Sequence, residues 1–286
     1  MIAVIGATGR SGAALARALI ATGMPFVPVL RDKAKWDALG LAVAPHIADV
    51  TDPQSLRAAL QGAEIVVNTA HASFAPSLIA AAPSGARLIM MGSTRRYSHW
   101  PDAHGDGVRA GEAALLASGR AGVILHPTMI YGAQGEENVR RLARLLARLP
   151  FAPLPAGGRT LVQPIYQDDV TRALLAAIRH PWTRAESMVI AGPEALLYRD
   201  FLAAVAQAAG LPSRPILPIP AALLVRLAPL TRWLPGLPKI NADEIRRLTE
   251  DKAFDISAMR DILGVIPIPL KQGLALTFAT ATPFQP

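Results

Sequence analysis

Several kinds of chemistry are excluded by what the sequence lacks. The 286 residues include no cysteine, which excludes disulfides, thiolate metal sites and a cysteine nucleophile. There is no G-x-S-x-G elbow and no G-x-x-x-x-G-K-S/T phosphate loop, so neither motif supports a hydrolase or a P-loop enzyme. No apolar run is long enough to span a bilayer, because prolines, Arg226 and Arg232 interrupt the nearest candidate, residues 216–237.

The charge balance is basic, whereas aromatic residues are scarce. Lys and Arg number 29 against 21 Asp and Glu, the formal net charge is +8, and aromatics make up 5%. The excess predicts anionic partners: a phosphorylated cofactor, a nucleotide-linked small-molecule substrate or a membrane surface in peripheral contact. The basic residues are scattered among few aromatics, so nucleic acid is not an expected partner. An apolar strand occupies the first residues, so no signal peptide is expected and a cytoplasmic location is predicted.

A glycine-rich segment directly follows the first apolar run. Residues 1–5 have the pattern of a buried parallel strand, residues 6–12 read GATGRSG, and residues 13–22 follow a helical pattern. In a dinucleotide-binding βαβ unit, Gly6 permits the tight turn, Gly9 lets the backbone approach a pyrophosphate, and Gly12 lets the helix pack closely. The N–H groups at the start of the helix attract phosphate. A tight turn without any ligand is the alternative explanation.

Strands and helices alternate along the chain. Strands are predicted at residues 1–5, 26–30, 43–47, 65–69, 87–91, 122–125 and 188–191. Helices are predicted at residues 13–22, 53–60, 111–118, 140–149, 170–178, 198–209, 221–227 and 242–249. The alternation predicts an α/β fold with a doubly wound, parallel Rossmann-type sheet. A dinucleotide-binding domain is predicted at residues 1–192, and a smaller, mostly helical substrate lobe at residues 193–286.

These motifs resemble the short-chain dehydrogenase/reductase superfamily, in its extended or atypical branch. The matching features are GATGRSG at 6–12, Asp49, Ser93, HPTMIYG at 126–132, QPIYQDDV at 163–170, Phe254-Asp255 and Leu263-Gly264. A narrower likeness, carried by the QPIY segment and Ala191-Gly192-Pro193, is to the nucleoside-diphosphate-sugar epimerase-like proteins. That group includes the 39 kDa accessory subunit of respiratory complex I.

The resemblance implies a complete NAD(P) site. The residues it assigns to the cofactor are Gly6, Gly9 and Gly12 for the pyrophosphate, Asp49 and Val50 for the adenine, Asn68, Thr69 and Ala70 for the ribose side, and Pro127 for the nicotinamide. Thr8, Arg10 and Ser11 of the glycine loop are also predicted to bind the cofactor. Arg31 stands where an acidic residue would bind a free ribose 2′-hydroxyl, and an arginine favours a 2′-phosphate, with help from Arg10 and Lys35. NADP(H) is therefore predicted rather than NAD(H), unless Arg31 is only a surface residue.

The catalytic pair that the resemblance implies is missing. The superfamily uses a tyrosine and, four residues later, a lysine that helps to lower the pKa of the phenol. Alignment on Glu112 puts Gly105 at the tyrosine position and Arg109 at the lysine position. Glycine carries no proton and arginine is a poor proton relay, so a non-standard catalytic centre is predicted.

Other polar residues are candidates to replace the pair. The resemblance gives Ser93 the role of polarising a substrate carbonyl, and Tyr97 is an alternative acid or, equally well, a surface tyrosine. Arg109 completes the predicted catalytic set, and His126 replaces an arginine common in the superfamily. Asp169 is predicted to cap the following helix.

Histidines and acids cluster between residues 99 and 106. His99 and His104 are predicted to share one loop, and the spacing of His99, Asp102, His104 and Asp106 fits no zinc motif, so no metal site is predicted. His71 is a candidate for substrate contact or a structural histidine.

Two functions follow from these observations. The first is an NADP(H)-dependent oxidoreductase or nucleotide-sugar epimerase-like enzyme of unorthodox mechanism, which the sequence slightly favours. The second is a non-catalytic, cofactor-binding accessory, assembly or redox-sensing protein. In the second case residues 216–237 would contact a membrane surface or a partner, although burial against the main domain is the simpler explanation. Helices flanking the sheet would also allow a homodimer.

Overall fold

Thirteen strands and twelve α-helices are found in the part of the chain that the structure describes, residues 1–133, 138–229 and 241–279 of a computed structural model. The strands are β1 (Ile2–Ile5), β2 (Phe26–Leu30), β3 (His46–Ile47), β4 (Ile65–Asn68), β5 (Arg87–Met91), β6 (Gly122–Pro127), β7 (Ile130–Tyr131), β8 (Ala152–Leu154), β9 (Leu161–Val162), β10 (Ile165–Tyr166), β11 (Ala185–Ile190), β12 (Leu196–Leu197) and β13 (Ile216–Pro218). The helices are α1 (Arg10–Ala21), α2 (Lys33–Asp37), α3 (Pro53–Ala59), α4 (Ala75–Ala81), α5 (Ala103–Ala117), α6 (Asn138–Arg148), α7 (Gln167–Arg179), α8 (Tyr198–Ala208), α9 (Ala221–Leu227), α10 (Ala242–Arg247), α11 (Ser257–Asp261) and α12 (Leu270–Ala279).

A seven-stranded sheet forms the centre of the fold. Its strands are all parallel and run in the order β11-β6-β5-β4-β1-β2-β3. Apart from the added edge strand β11, this is the doubly wound order in which ligands bind beyond the carboxyl ends of the strands. The predicted fold class is therefore confirmed.

Side chains alternate between the two faces of the sheet. Along β1, Ile2 and Val4 enter one core, which is shared with α1, α7 and α11. Ala3 and Ile5 enter the other core, which is shared with α3, α4 and α5. Both faces are therefore buried, and this explains why the strands read as continuous apolar runs.

A second layer is built from short strand pairs and helices. β8 pairs with β13, β9 pairs antiparallel with β12, and β7 pairs with β10. Its cores contain Tyr131, Val139, Phe201 and Leu274 in one cluster and Leu146 in another. This layer joins segments from both sides of residue 192, where the division into two domains stays a prediction.

Several predicted elements differ in extent from those observed. The third strand is limited to His46–Ile47 instead of residues 43–47. The helix predicted at 111–118 starts at Ala103, because Asp102 caps it by accepting a hydrogen bond from the Gly105 backbone N–H (2.7 Å). His104 therefore lies in α5, not in the loop predicted to hold it with His99. Asp169 does not cap α7, which begins at Gln167, but is buried in the first turn.

No described helix is long and apolar enough to cross a membrane. Residues 230–237 of the candidate contact segment lie outside the described residues, and only its first part, which contains β13 and α9, is placed. In α9, Leu223 and Leu227 are exposed.

Candidate functional site

The glycine loop lies between the carboxyl end of β1 and the first turn of α1. Gly6 has φ +74°, and a β-carbon there would come within 2.8 Å of the Ala70 backbone nitrogen. A β-carbon on Gly12 would lie only 2.2 Å from the Gly6 carbonyl oxygen. These two glycines are required by the packing of the loop itself.

Gly9 is different, because the protein's own packing only mildly restricts it. Its backbone is extended (φ −72°, ψ 167°), and an added β-carbon would meet one atom, the Gly6 carbonyl oxygen, at 3.2 Å. Gly9 caps α1 without a side chain, so the outer face of the loop is bare backbone at the positive end of a helix. This is the shape that a pyrophosphate needs. Thr8 and Arg10 belong to the same surface, whereas the buried Ser11 bonds to Gln167 of α7 (3.3 Å).

A charged corner follows β2 and β3. The Arg31 side chain is 73% exposed, and its guanidinium lies 3.7 Å from the Asp49 carboxylate. Asp49 also accepts hydrogen bonds from the backbone N–H (2.8 Å) and the hydroxyl (2.7 Å) of Thr51, and these bonds hold its pKa below the usual range. Val50 is half-buried beside it. Arg31 thus has its donors at the surface, where a phosphate could reach them.

The end of β4 lines the opposite side of the loop. The Thr69 hydroxyl donates to the Ile5 carbonyl oxygen (2.7 Å), which explains why a threonine stands beside Gly6. Buried Asn68 accepts from the Ala70 backbone N–H (3.0 Å). These bonds fix residues 68–70 against the glycine loop, and their predicted place on the ribose side stays a prediction.

Pro127 ends β6 and is followed by a buried residue with an unused hydroxyl. The Pro127 carbonyl oxygen accepts from Thr94 (3.2 Å). Thr128 is 6% exposed, and its hydroxyl has no hydrogen-bond partner among the described residues. Buried polar groups are normally satisfied, so this orphan hydroxyl after the carboxyl end of β6 fits a bound ligand.

Ser93 and Tyr97 begin and end a short turn after β5. The Ser93 hydroxyl accepts from the Arg95 backbone N–H (3.2 Å), capping the 3₁₀ turn Thr94–Tyr97. Tyr97 is 45% exposed, and its ring centroid lies 5.6 Å from that of Phe254. Tyr97 is therefore accessible from the surface. The Ser93 hydroxyl, in contrast, already accepts the hydrogen bond that caps the turn.

At Gly105, the position that the alignment assigns to the catalytic tyrosine, there is no space for a larger side chain. A β-carbon on Gly105 would meet the Arg95 carbonyl oxygen at 2.9 Å, because the turn lies directly against the first turn of α5. Arg109 donates to the Arg96 carbonyl oxygen (2.8 Å) and pairs with Asp106. The positions assigned to the tyrosine and the lysine are thus filled by contacts within the protein.

The C-terminal segment holds the residues that follow this turn. Glu250 accepts hydrogen bonds from the Ser98 hydroxyl (2.9 Å) and the His99 backbone N–H (2.7 Å). Arg247 of α10 lies 3.0 Å from Asp102, which also pairs with Arg95. Burial raises the pKa of Asp102, but the Gly105 N–H and the two arginines outweigh it and hold that pKa below its usual range.

His71 and His104 make their hydrogen bonds within the protein itself. His71 lies 3.1 Å from His104 between their ring nitrogens, and Ser73 contacts the other nitrogen of His71 (2.8 Å). Burial lowers the pKa of His104. Within the described residues, no three His, Asp or Glu side chains gather in a way that could hold a metal ion.

Sequence reasoning missed several residues that shape the site. Arg96 pairs with buried Glu112, and Gln163 bonds to both the Gly192 carbonyl oxygen (2.9 Å) and the Phe254 N–H (2.7 Å). The partners of these side chains are remote in sequence or on other elements. No local pattern could have revealed them, although a lone polar residue in an apolar strand, as at His126, was a usable signal.

The fold and the glycine loop are those of a Rossmann-type domain. Residues 6–130 match a family model described as NAD(P)H-binding. Among solved structures, the NADPH-dependent quinone oxidoreductase of Escherichia coli, in complex with NADPH, has a TM-score of 0.76 at 20% identity, covering 97% of this chain and 100% of that chain. The UDP-glucose 4-epimerase of Thermotoga maritima, with UDP-glucose, has a TM-score of 0.70 at 16% identity, covering 97% of both chains. These identities show a shared fold.

Curated relatives include two named reductases. Ceramide reductase of Caulobacter vibrioides is 30% identical over 197 residues, covering 63% of this chain and 62% of that protein. The NAD(P)H azoreductase of Xenophilus azovorans is 25% identical over 256 residues, covering 87% of this chain and 86% of that protein. An uncharacterized protein of Mycobacterium tuberculosis is 26% identical over 277 residues, covering 93% of this chain. The chain spans less than two thirds of ceramide reductase and 28% of the mycobacterial protein.

Proposed function

We propose that this protein is an NADP(H)-dependent oxidoreductase that works without the tyrosine–lysine pair. The observation that carries the proposal is the bare backbone at Gly9. A side chain there would block the approach of a pyrophosphate, whereas it would only mildly disturb the packing of the protein itself. The orphan hydroxyl of buried Thr128 supports a ligand at the other end of the same site. Bound NADPH would supply a hydride. The residues of this chain would bind the cofactor, orient the acceptor and donate a proton to it.

The proposed preference for NADP(H) rests on Arg31. Its exposed guanidinium follows β2, at the position that meets the adenosine ribose in this class of fold. A planar, permanently charged group pairs well with a 2′-phosphate. Asp49 is half-exposed and already engaged by Thr51, so it orients Arg31 rather than binding the ribose hydroxyls.

The proposed catalytic centre consists of Ser93, Tyr97 and Arg109, in unequal roles. Tyr97 is 45% exposed and is the candidate proton donor, with water as the alternative. Ser93 would polarise the acceptor, and Arg109 supports the turn through the Arg96 carbonyl oxygen. The names of the curated relatives, reductases of a ceramide and of azo compounds, support the reaction type and leave the acceptor open.

A nucleotide titration tests the cofactor assignment. We expect NADPH to bind more tightly than NADH, and Arg31→Ala to weaken NADPH binding by about 10- to 100-fold, as for loss of a charge-assisted hydrogen bond. The matched control is Lys33→Ala, which removes an exposed charge of the neighbouring helix that pairs with Asp37. If both variants weaken binding equally, the effect is general electrostatics and the assignment of Arg31 is wrong.

A second candidate function is a non-catalytic cofactor-binding protein, such as an accessory subunit, an assembly factor or a redox sensor. The filled tyrosine and lysine positions at Gly105 and Arg109 favour it. The narrower likeness to the group of the complex I subunit, a homodimer, a cytoplasmic location and a membrane or partner contact at residues 216–237 stay proposals. NADPH binding without oxidation by any of a panel of aldehydes, ketones and quinones would favour this function.

A further inference from the structure

A buried carboxylate lies beneath the proposed catalytic turn. Glu112 of α5 has a side chain only 5% exposed, and its Oε2 lies 2.5 Å from Nε of Arg96. An unpaired buried carboxylate is strongly unfavourable, so the glutamate depends on this cation. Arg96 belongs to the turn Thr94–Tyr97, and the ion pair therefore ties the turn to the helix below it.

His126 holds the other end of the same turn. Its Nδ1 accepts a hydrogen bond from the Ser93 backbone N–H (3.2 Å), which assigns the proton to Nε2. Nε2 lies 3.3 Å from Glu112 and 3.2 Å from the hydroxyl of Ser187, which itself donates to Glu112 (2.5 Å). Burial lowers the pKa of His126, in keeping with a neutral ring.

The local backbone is adapted to this network. A β-carbon at Gly92 would lie 2.3 Å from Nδ1 of His126, so only glycine leaves room for the ring below the turn. Above the network, the Arg96 guanidinium lies 4.6 Å from the centre of the Tyr97 ring. Arg96 thus contacts the buried acid and the exposed phenol at the same time.

We propose that Glu112, Arg96 and His126 are positioning residues that hold Ser93 and Tyr97 in place in and beside the turn Thr94–Tyr97. Arg96 fixes the Tyr97 ring, and His126 fixes the Ser93 backbone. The catalytic consequence rests on the proposed function, but the structural consequence, an ordered Tyr97, does not. Loss of the network leaves the glycine loop and Arg31 untouched, so NADPH binding persists while hydride transfer slows.

The test uses the full chain labelled with 3-fluorotyrosine and observed by ¹⁹F NMR. The sequence has 4 tyrosines, so Tyr97→Phe assigns the relevant signal and leaves three internal references. Glu112→Gln removes the buried charge with little change of shape. We expect it to shift and broaden the Tyr97 signal while the others stay unchanged, and to lower kcat for NADPH oxidation with menadione by up to about 100-fold at unchanged KM for NADPH. Arg96→Lys, which keeps the positive charge beside Glu112, should show both effects more weakly than Glu112→Gln.

Two further variants keep the test decisive. Glu186→Gln is the matched control, because Glu186 neighbours Ser187 on β11 but pairs with Arg184 at the surface. If Glu112→Gln does not fold, the double variant Arg96→Leu/Glu112→Leu replaces both charges together, which is often tolerated. A folded variant without the network that keeps a wild-type Tyr97 signal overturns the proposal. If wild-type protein binds no NADPH, the proposed function fails, and the ¹⁹F signals still decide the positioning role.

Discussion

At the scale of single residues, Gly9 and Gly12 differ in what requires them. Gly12 is needed by the fold, since its β-carbon would collide with the Gly6 carbonyl oxygen at 2.2 Å. Gly9 meets that oxygen only at 3.2 Å, a contact that a shift of a few tenths of an ångström relieves. We therefore attribute the glycine at residue 9 mainly to the proposed cofactor.

The first prediction separates these two requirements. Gly12→Ala should lower the free energy of unfolding by about 3 kcal/mol, as for an overpacked site. Gly9→Ala should leave it within about 1 kcal/mol of wild type, because its φ suits alanine. Gly9→Ala should nevertheless weaken NADPH binding by more than about tenfold. Urea unfolding and fluorescence titration measure both quantities, and wild-type NADPH affinity in folded Gly9→Ala would exclude a pyrophosphate at this loop.

The residues of the site were predictable to different degrees. The glycines could be recognised because they follow a buried strand directly, and Gly105 and Arg109 because they depart from a known pattern. The roles of Arg96 and Glu112 could not be predicted, since their contact depends on how the turn Thr94–Tyr97 lies on α5. Packing between elements, and not local propensity, decides such pairs.

At the scale of elements, α5 illustrates why helix limits are hard to predict. Glycines at 105, 107 and 111 argue against a helix in isolation. In the protein they permit close packing: a β-carbon on Gly111 would lie 2.0 Å from the Ala72 carbonyl oxygen, and one on Gly107 would lie 2.6 Å from His71. The tertiary contacts override the low propensity.

The segment between β5 and α5 is also held from outside, by Glu250. We predict that Glu250→Gln accelerates hydrogen exchange of the His99 amide by about fivefold, because a hydrogen bond to a charged acceptor contributes about 1 kcal/mol more than one to a neutral acceptor. Exchange measured by mass spectrometry on peptides covering residues 98–102 gives the rate. Glu64→Gln is the control, since Glu64 pairs with the amino terminus at the other end of the sheet. Equal protection in both variants would show that Glu250 does not restrain the segment.

At the scale of the whole molecule, the central sheet was predictable and the second layer was not. The inner strands β1, β4, β5 and β6 are buried on both faces, so each leaves a mainly apolar run in the sequence. The second layer uses strands of two or three residues whose partners lie far along the chain, such as β8 with β13. Strands this short carry no periodic signal.

Global stability should depend on pH through buried His126 and half-buried His104. Burial lowers the pKa of both His126 and His104, so the folded protein resists protons that the unfolded chain accepts below about pH 6.5. The contribution of these histidines to the free energy of unfolding is therefore fully present above that pH. It is lost as the pH falls, by up to about 1.4 kcal/mol per pH unit for each histidine. Burial raises the pKa of Asp168 and Asp169, which acts in the opposite sense at more acidic pH, nearer the ordinary carboxyl range.

Urea unfolding between pH 7 and pH 5 measures this dependence. The double variant His104→Asn/His126→Asn should show a flatter slope than wild type, whatever its absolute stability. His99→Asn, at an exposed ring, is the control and should keep the wild-type slope. His126 accepts from the Ser93 N–H only when Nδ1 is unprotonated. Protonation of His126 should therefore release the turn, and the Tyr97 ¹⁹F signal should shift over the pH range in which stability is lost. A slope unchanged in the double variant would mean that neither ring is held neutral by the fold.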